Sequence, residues 1–266
     1  MNTTYLQSSP RVRAEDFSSE WLPARVRELN ETLRLHRKVW EFAVIAQVYE
    51  ETIGTGGFAL GFGCGREPLP AWLASRGCRV IATDQAAEEA VDWVSSSQHS
   101  GGLADLPLTG ICDERRFKEL VAYAPLDMRD LPEELLRGYF DFTWSAGSFE
   151  HIGGIEAGLQ FFLRQMKCLK PGGIAAHTTE FNFANNAKTL ESDNLVLFRQ
   201  RDLEELERRL AAQGDSMWPL DLRPGDHEAD AYVDPQPYTG ECHLNLAIDH
   251  HVSTSVLLVA QRGGAS

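Results

Sequence analysis

"FALGFGCGREPLPAWLASRGCRVIATDQ", residues 58–85, is the stretch on which the fold turns. An apolar run from Phe58 to Leu60 breaks into the glycine-rich turn Gly61-Phe62-Gly63-Cys64-Gly65. Arg66, Glu67 and Pro68 then open an apolar segment of helical character, and "CRVIATD" returns as a second strand ending on Asp84. Strand, turn, helix and strand in so short a span make one βαβ unit, which demands a parallel strand pair and a right-handed crossover.

The alternation continues on both sides of this unit. Strands are predicted near 57–62, 78–84, 121–126, 140–145 and 173–180, with helices over 67–76, 86–96 and 154–168. Before them, Leu22, Val26, Leu29 and Leu33 recur at helical spacing and "HRKVWEFAVIAQVYE" continues the pattern, so a helical cap of one or two helices precedes the first strand. Residues 1–20 show no periodicity and read as a loose arm, the alternative being an arm folded over an active site. The final third holds a charged amphipathic helix, "RDLEELERRLAAQ", and three strand-like runs, "MWPLDL", "CHLNLAI" and "STSVLLVAQ", with too little chain between them for crossover helices. Those strands should be antiparallel neighbours.

The expected fold class is therefore α/β, a Rossmann-like, mostly parallel sheet with helices on both faces and an antiparallel C-terminal strand. One domain accounts for residues 1–266: an N-terminal arm and helical cap over 1–56, a cofactor-binding core over 57–183, and a C-terminal, substrate-side half over 184–266. The tract "VSSSQHSGG" is a flexible turn on composition.

Composition narrows the partners. Against 25 Lys and Arg stand 39 Asp and Glu, a formal net charge of −14, which repels phosphate backbones and anionic lipid surfaces. A small or neutral acceptor is favoured over nucleic acid. The five cysteines are scattered and show no C-x-x-C spacing, so neither a disulfide framework nor a zinc cluster is expected. With a polar N-terminus and no long apolar run, the reading is a cytoplasmic protein without membrane insertion. A homo-oligomer is compatible with all of this.

A glycine turn between strand and helix lets a ligand approach the backbone at the carboxyl edge of the sheet. Asp84, at the end of the next strand, stands where an acid accepts from two ribose hydroxyls, about 20 residues past the turn. Turn and acid together imply a nucleoside-containing ligand. A dinucleotide turn aims a helix N-terminus at a pyrophosphate; here Glu67 opens the helix, which disfavours NAD and favours a cationic ligand bearing an amino group and a sulfonium. The residues alone leave open a glycine-rich strand end without ligand, with Asp84 as a plain helix cap.

From Phe58 to Glu180 the chain resembles the class I S-adenosylmethionine-dependent methyltransferases, segment by segment and in order. "LGFGCGREPLPAWLASRGCRVIATD" is similar to the family's first strand, glycine loop and second strand. "PLDMRDLP" is similar to its adenine-side segment, "FDFTWSAGSFEHI" to its fourth strand and loop, and "LKPGGIAAHT" to the entry into its fifth strand. The resemblance implies a seven-stranded sheet and S-adenosyl-L-methionine as cofactor. It implies that Gly63, Cys64 and Gly65 pass beside the methionyl part, Asp84 binds the ribose, Asp127 accepts from the adenine amino group and Met128 lies at the ring. Ser145 and Ala146 would offer backbone carbonyls to the ammonium.

The sequence departs from that pattern at Gly61, where the family has an acid, at Glu67, where it has its last loop glycine, and more mildly at Gln85, an adenine-flanking position. Glu67 is read as the substitute for the acid absent at Gly61. "GREPLP", "YVDPQPY" and "HVSTSVLLV" are further similar to bacterial methyltransferases associated with surface-glycan assembly, which tilts the acceptor towards a sugar hydroxyl or another small polar group.

Methyl transfer to an alcohol needs alignment, exclusion of water and a proton acceptor. His151 is the first candidate base, and Glu150 stands beside it; either equally suits a helix-supporting role. His177 and Glu180 fall on opposite faces of their strand, and His177 equally suits a buried hydrogen-bonded role. In "DHEADAYVDPQP" the acids Asp226, Glu228 and Asp230 begin like a calcium loop, but Ala231 and Pro237 break it, and with Asp234 they read as a solvated loop. No metal is expected. His250 and His251 read as a turn pair.

The helical cap, the excursion 97–120 and the loop 224–242 should define the acceptor, with Trp40, Trp93, Tyr232 and Tyr238 as candidate pocket aromatics. Two other classes stay open: a noncatalytic nucleoside-binding or scaffolding domain of the same fold, and a nicotinamide oxidoreductase, which the glycine spacing disfavours.

Overall fold

The computed structural model of the protein describes residues 4–86 and 100–264. The helix expected over 86–96 and the candidate pocket residue Trp93 lie outside the described residues.

The central sheet is built on β2 (Phe58–Gly61), β3 (Arg79–Asp84), β4 (Val121–Pro125), β5 (Phe140–Ala146), β6 (Leu169–Asn182) and β10 (His251–Gln261). Its order is β4-β3-β2-β5-β6-β10, ending in the short β7 (Ser216–Met217). The first five strands are parallel, whereas β10 runs antiparallel to β6 and β7 antiparallel to β10. An eighth strand, β9 (Asn245–Ile248), pairs antiparallel with the start of β10, so the sheet holds one strand more than expected.

Two apolar layers cover the sheet. On one face lie the helices α1 (Trp21–Glu28), α2 (Arg37–Thr52) and α3 (Leu69–Ser75), whose Leu22, Trp40, Val44 and Trp72 join Phe142 and Leu257 from the strands. The other face packs Phe162 of the helix Ile155–Gln165 and Leu206 of the helix Gln200–Ala212 against Leu60, Phe140 and Leu258. Both faces are buried, which is why the parallel strands read as continuous apolar runs rather than alternating ones. Trp40, a candidate pocket aromatic, is core: it is fully buried and its indole donates to Asp16 Oδ2 at 2.7 Å.

The cap helix α2 is placed by its ends. At its start His36 Nδ1 accepts from the Lys38 amide at 3.1 Å. At its end Gly54 turns left-handed, φ +77°, and its amide closes onto the Tyr49 carbonyl. Between them the helix is buried almost all round and crosses β5, β6 and β10. Leu33, although in step with Leu22, Val26 and Leu29, lies beyond the end of α1 and is exposed.

The N-terminal arm is not loose, which corrects the sequence reading. Ser9–Pro10 (β1) pairs parallel with Leu220–Asp221 (β8), and Leu6, Val12, Ala14 and Phe17 are buried. Arg11 bridges to Val256 and the Val12 amide donates to the Ser255 carbonyl. The outer edge of β10 is thus closed by three pieces of chain: β9, residues 11–12 and β7. Aperiodic spacing hid the arm because its contacts are made residue by residue to distant strands.

The loop 224–242 is solvated at Asp226 and Glu228, as expected, but tied down at Asp230 and Asp234. Asp230 caps the Ala14 amide, and Asp234 is fully buried, accepting from Thr239, Gly240 and His243. Tyr232 and Tyr238 stand half-exposed on this loop.

Candidate active site

The carboxyl ends of β2, β3 and β5 bring the predicted turn together. Gly63 and Gly65 adopt φ of +57° and +51°, the left-handed region where glycine alone is unstrained. Asp84 Oδ2 accepts from the Gly65 amide at 3.1 Å and from the Ser100 amide at 3.2 Å, while Oδ1 accepts from the Gln85 amide. The acid therefore shapes the turn from across the strand ends. After β5, Ser148 Oγ donates to the Gly63 carbonyl at 3.0 Å. A side chain added at Gly63 would meet Ser148 at 2.8 Å and the Met128 sulfur at 3.6 Å. This gathers the turn, Met128 and the loop after β5 into one backbone-lined cradle.

Gly61 has a clear physical reason. It pairs directly with Trp144 of β5, and a Cβ on it would lie 2.3 Å from the Trp144 ring and 2.5 Å from the Cys64 sulfur. No acid fits at this strand end because an indole fills the space. The same indole donates to Glu67 Oε1 at 2.6 Å. Glu67 is 4% exposed, ahead of the helix that starts at Leu69, and burial pushes its carboxyl up to about 8. The expectation that Glu67 presents a helix-end charge is corrected: it is a buried, largely protonated acid in neutral solution. Cys64 also turns inward, its thiol pushed up by burial, so only its main chain faces the cradle.

The other adenine- and methionyl-side residues are placed unequally. Asp127 holds Arg129 in a two-oxygen pair, with contacts of 2.8–3.0 Å, which keeps its carboxyl below the usual range. Ser145 points to the opposite face, its hydroxyl 2.8 Å from His177 Nδ1. His177 is buried among Phe62, Phe149, Phe161 and Phe162, a structural histidine held well below its usual range by desolvation. The Ala146 carbonyl already accepts from Lys38 Nζ at 3.0 Å.

Beyond the cradle lies a buried polar cluster. Glu150 is almost fully buried, accepts from Thr179 Oγ1 at 3.1 Å, and is pushed up to about 8 by burial and then by neighbouring Glu180. His151 Nδ1 lies 2.6 Å from the Asn194 carbonyl and must donate to it, leaving Nε2 as the basic nitrogen, 4.0 Å from Glu150 Oε1. Burial lowers the His151 pKa, so the ring is neutral at neutral pH. Arg37 pairs with Glu180, Lys38 with Glu41 at 2.6 Å, and Glu41 also accepts from Ser255.

Arg37, Lys38, Glu41, Trp144 and Ser148 were not singled out from sequence. The signal lay in "RKVWEFAVIAQV": charges at 37, 38 and 41 in a helix otherwise too apolar for a solvent face. Among the described residues no group of three or more His, Cys, Asp or Glu is placed to hold a metal ion, and no helix is long and apolar enough to cross a membrane.

Comparison with known proteins fits this geometry. Residues 60–177 match the family model described as a methyltransferase domain. No curated protein matches the chain. Among solved structures, the chain is similar to the 1,6-didemethyltoxoflavin-N1-methyltransferase of Burkholderia thailandensis, determined with 1,6-didemethyltoxoflavin and S-adenosylhomocysteine: 15% identity, TM-score 0.50, covering 94% of this chain and 87% of that one. It is also similar to phosphoethanolamine N-methyltransferase 2 of Haemonchus contortus (14%, TM-score 0.51, 94% and 60%) and to TehB of Haemophilus influenzae (12%, TM-score 0.51, 90% and 65%). At these identities the likeness shows a shared fold.

Proposed function

We propose that the chain, whose residues 60–177 match the methyltransferase-domain model, is an S-adenosylmethionine-dependent methyltransferase that moves a methyl group to a hydroxyl of a small polar molecule, a sugar hydroxyl being the first to test. The observation that carries the reading is the Ser148 to Gly63 hydrogen bond of 3.0 Å. It ties the loop bearing Glu150 and His151 to the glycine cradle, which supports a proton acceptor from that loop serving a cofactor at the cradle.

The donor, when bound, supplies an electrophilic sulfonium methyl. The chain's own work is to hold, align and take a proton. Gly63 and Gly65 open the backbone, Asp84 fixes the turn and offers its carboxylate to the ribose, and Met128 borders the adenine side. His151 Nε2 takes the proton of the acceptor hydroxyl. The neighbouring Glu150, a buried acid raised to about 8, lies with Oε1 4.0 Å from that nitrogen and borders the base without carrying a charge at neutral pH. The whole chain acts as one unit in this reading, with the tied loop 224–242 and the cap helix flanking the acceptor.

An acceptor screen with a labelled methyl donor tests the proposal. Label on a hydroxyl product supports it; label only on amines or carbon acceptors overturns the oxygen assignment. Absence of binding by S-adenosylmethionine and S-adenosylhomocysteine in calorimetry overturns the cofactor reading itself.

A further inference from the structure

The methionyl end of the cradle holds a cation, paired with Glu41, where its family resemblance implies an acid. An acid at position 61 is sterically excluded by Trp144, and Glu67 is drawn inward beneath the indole. The Ala146 carbonyl, a candidate acceptor for an ammonium, is occupied by a cation of the protein itself, Lys38 Nζ at 3.0 Å. An ammonium has three N–H donors. Two are spent, on Ala146 and on Glu41 at 2.6 Å, and the side chain is 38% exposed.

The position of this lysine is fixed from several sides. Glu41 is anchored in turn by Ser255, and Arg37, the neighbouring cation, is committed to Glu180. Gly147, with φ +63°, passes close beneath: a Cβ there would lie 2.7 Å from Lys38 Nζ and 3.2 Å from both Glu41 Oε2 and Glu150 Oε1. The next residue, Ser148, is bonded to Gly63 of the cradle. Lys38 thus reaches from the cap helix over the end of β5, two residues along the chain from the contact that closes the glycine turn.

We propose that Lys38 binds the carboxylate of the cofactor's methionyl group, so that the N-terminal cap helix, outside residues 60–177, supplies part of the cofactor site. An amino-acid ligand entering this end meets, where an acid was expected, the third N–H of an ammonium already paired with Glu41, and its carboxylate is the group that can accept from it. The inference rests on the methyltransferase reading.

The test compares S-adenosylmethionine with decarboxylated S-adenosylmethionine, which keeps sulfonium and amine but lacks the carboxylate, by calorimetry on the full chain and its Lys38→Met variant. The wild type should prefer the carboxylate-bearing ligand by about 10- to 100-fold, the range of a hydrogen bond to a charged group. In Lys38→Met that preference should fall to within about threefold, because only one ligand has lost a partner. An undiminished preference in the variant, or equal weakening of both ligands, overturns the assignment. Lys38→Gln keeps a donor for Ala146 without the charge and reads the same ratio if the methionine variant does not fold. Binding of neither ligand by the wild type overturns the methyltransferase reading instead, which separates the two failures.

Discussion

Trp144 donates its indole N–H to Glu67 Oε1 at 2.6 Å directly above Gly61. Strand end, indole and buried acid form one packed unit, so a change at any of the three is felt by the others. Replacing Gly61 with Ala should destabilise the fold by about 1–3 kcal/mol through overpacking, since the new methyl would overlap the Trp144 ring and the Cys64 sulfur. Chemical denaturation checks this, and a loss below about 0.5 kcal/mol would show that the indole yields freely.

The buried Glu67 makes stability fall with pH. Its carboxyl sits at about 8 in the folded protein against an unfolded value of 4.5, so its protonated form favours folding below 4.5 and that contribution is lost as pH rises through 8. Glu67→Gln removes this dependence while keeping an acceptor for Trp144. Between pH 6 and pH 9 the variant should gain on the order of 2–4 kcal/mol relative to wild type. Parallel stability curves would sink the idea. If the acid also serves the methionyl group, the same variant should bind S-adenosylmethionine several-fold more weakly; unchanged affinity would leave Glu67 a purely structural residue.

Proton transfer separates His151 from Glu150. His151→Gln should lower product formation about 10²- to 10⁴-fold with cofactor affinity intact. With His151 as base, the rate should fall at acid pH with a midpoint below its ordinary 6.5, because burial lowers its pKa. A rate that instead climbs through pH 8, and loses that rise in Glu150→Gln, transfers the role to Glu150.

Arg129 competes with the cofactor for Asp127. Both carboxylate oxygens are engaged by this guanidinium, Oδ1 by Nε and Oδ2 by Nη2, so an adenine amino group gains Asp127 only by displacing it. Arg129→Ala should tighten S-adenosylhomocysteine binding by roughly 2- to 10-fold, the scale of an exposed ion pair no longer broken. Weaker binding in calorimetry would show that the pair itself forms the adenine wall.

The parts legible in the sequence are those with a local period or a local steric demand. The parallel strands, the helices at 69–75, 155–165 and 200–212, and the turn with Asp84 all follow from such signals. What escaped depended on contacts between distant segments. The arm looked loose because its strand partner lies at Leu220–Asp221. Lys38 was not singled out because Ala146 is more than a hundred residues away. Gly61 looked like a lost acid until Trp144 occupied its space. Each was visible as an oddity, a charge in an apolar helix or a glycine where a carboxylate was expected, but the explanation needed the partner.

The closure of the β10 edge sets an order of events during synthesis. Ser9 Oγ accepts from the Val259 amide at 3.0 Å, a contact 250 residues apart in the chain. The segment around Ser9 therefore waits for the segment around Val259 before it can dock. Such separations slow folding. Until they close, the nascent chain has its central strands formed but that edge open, the stage at which chaperone demand and mispairing between chains should be greatest.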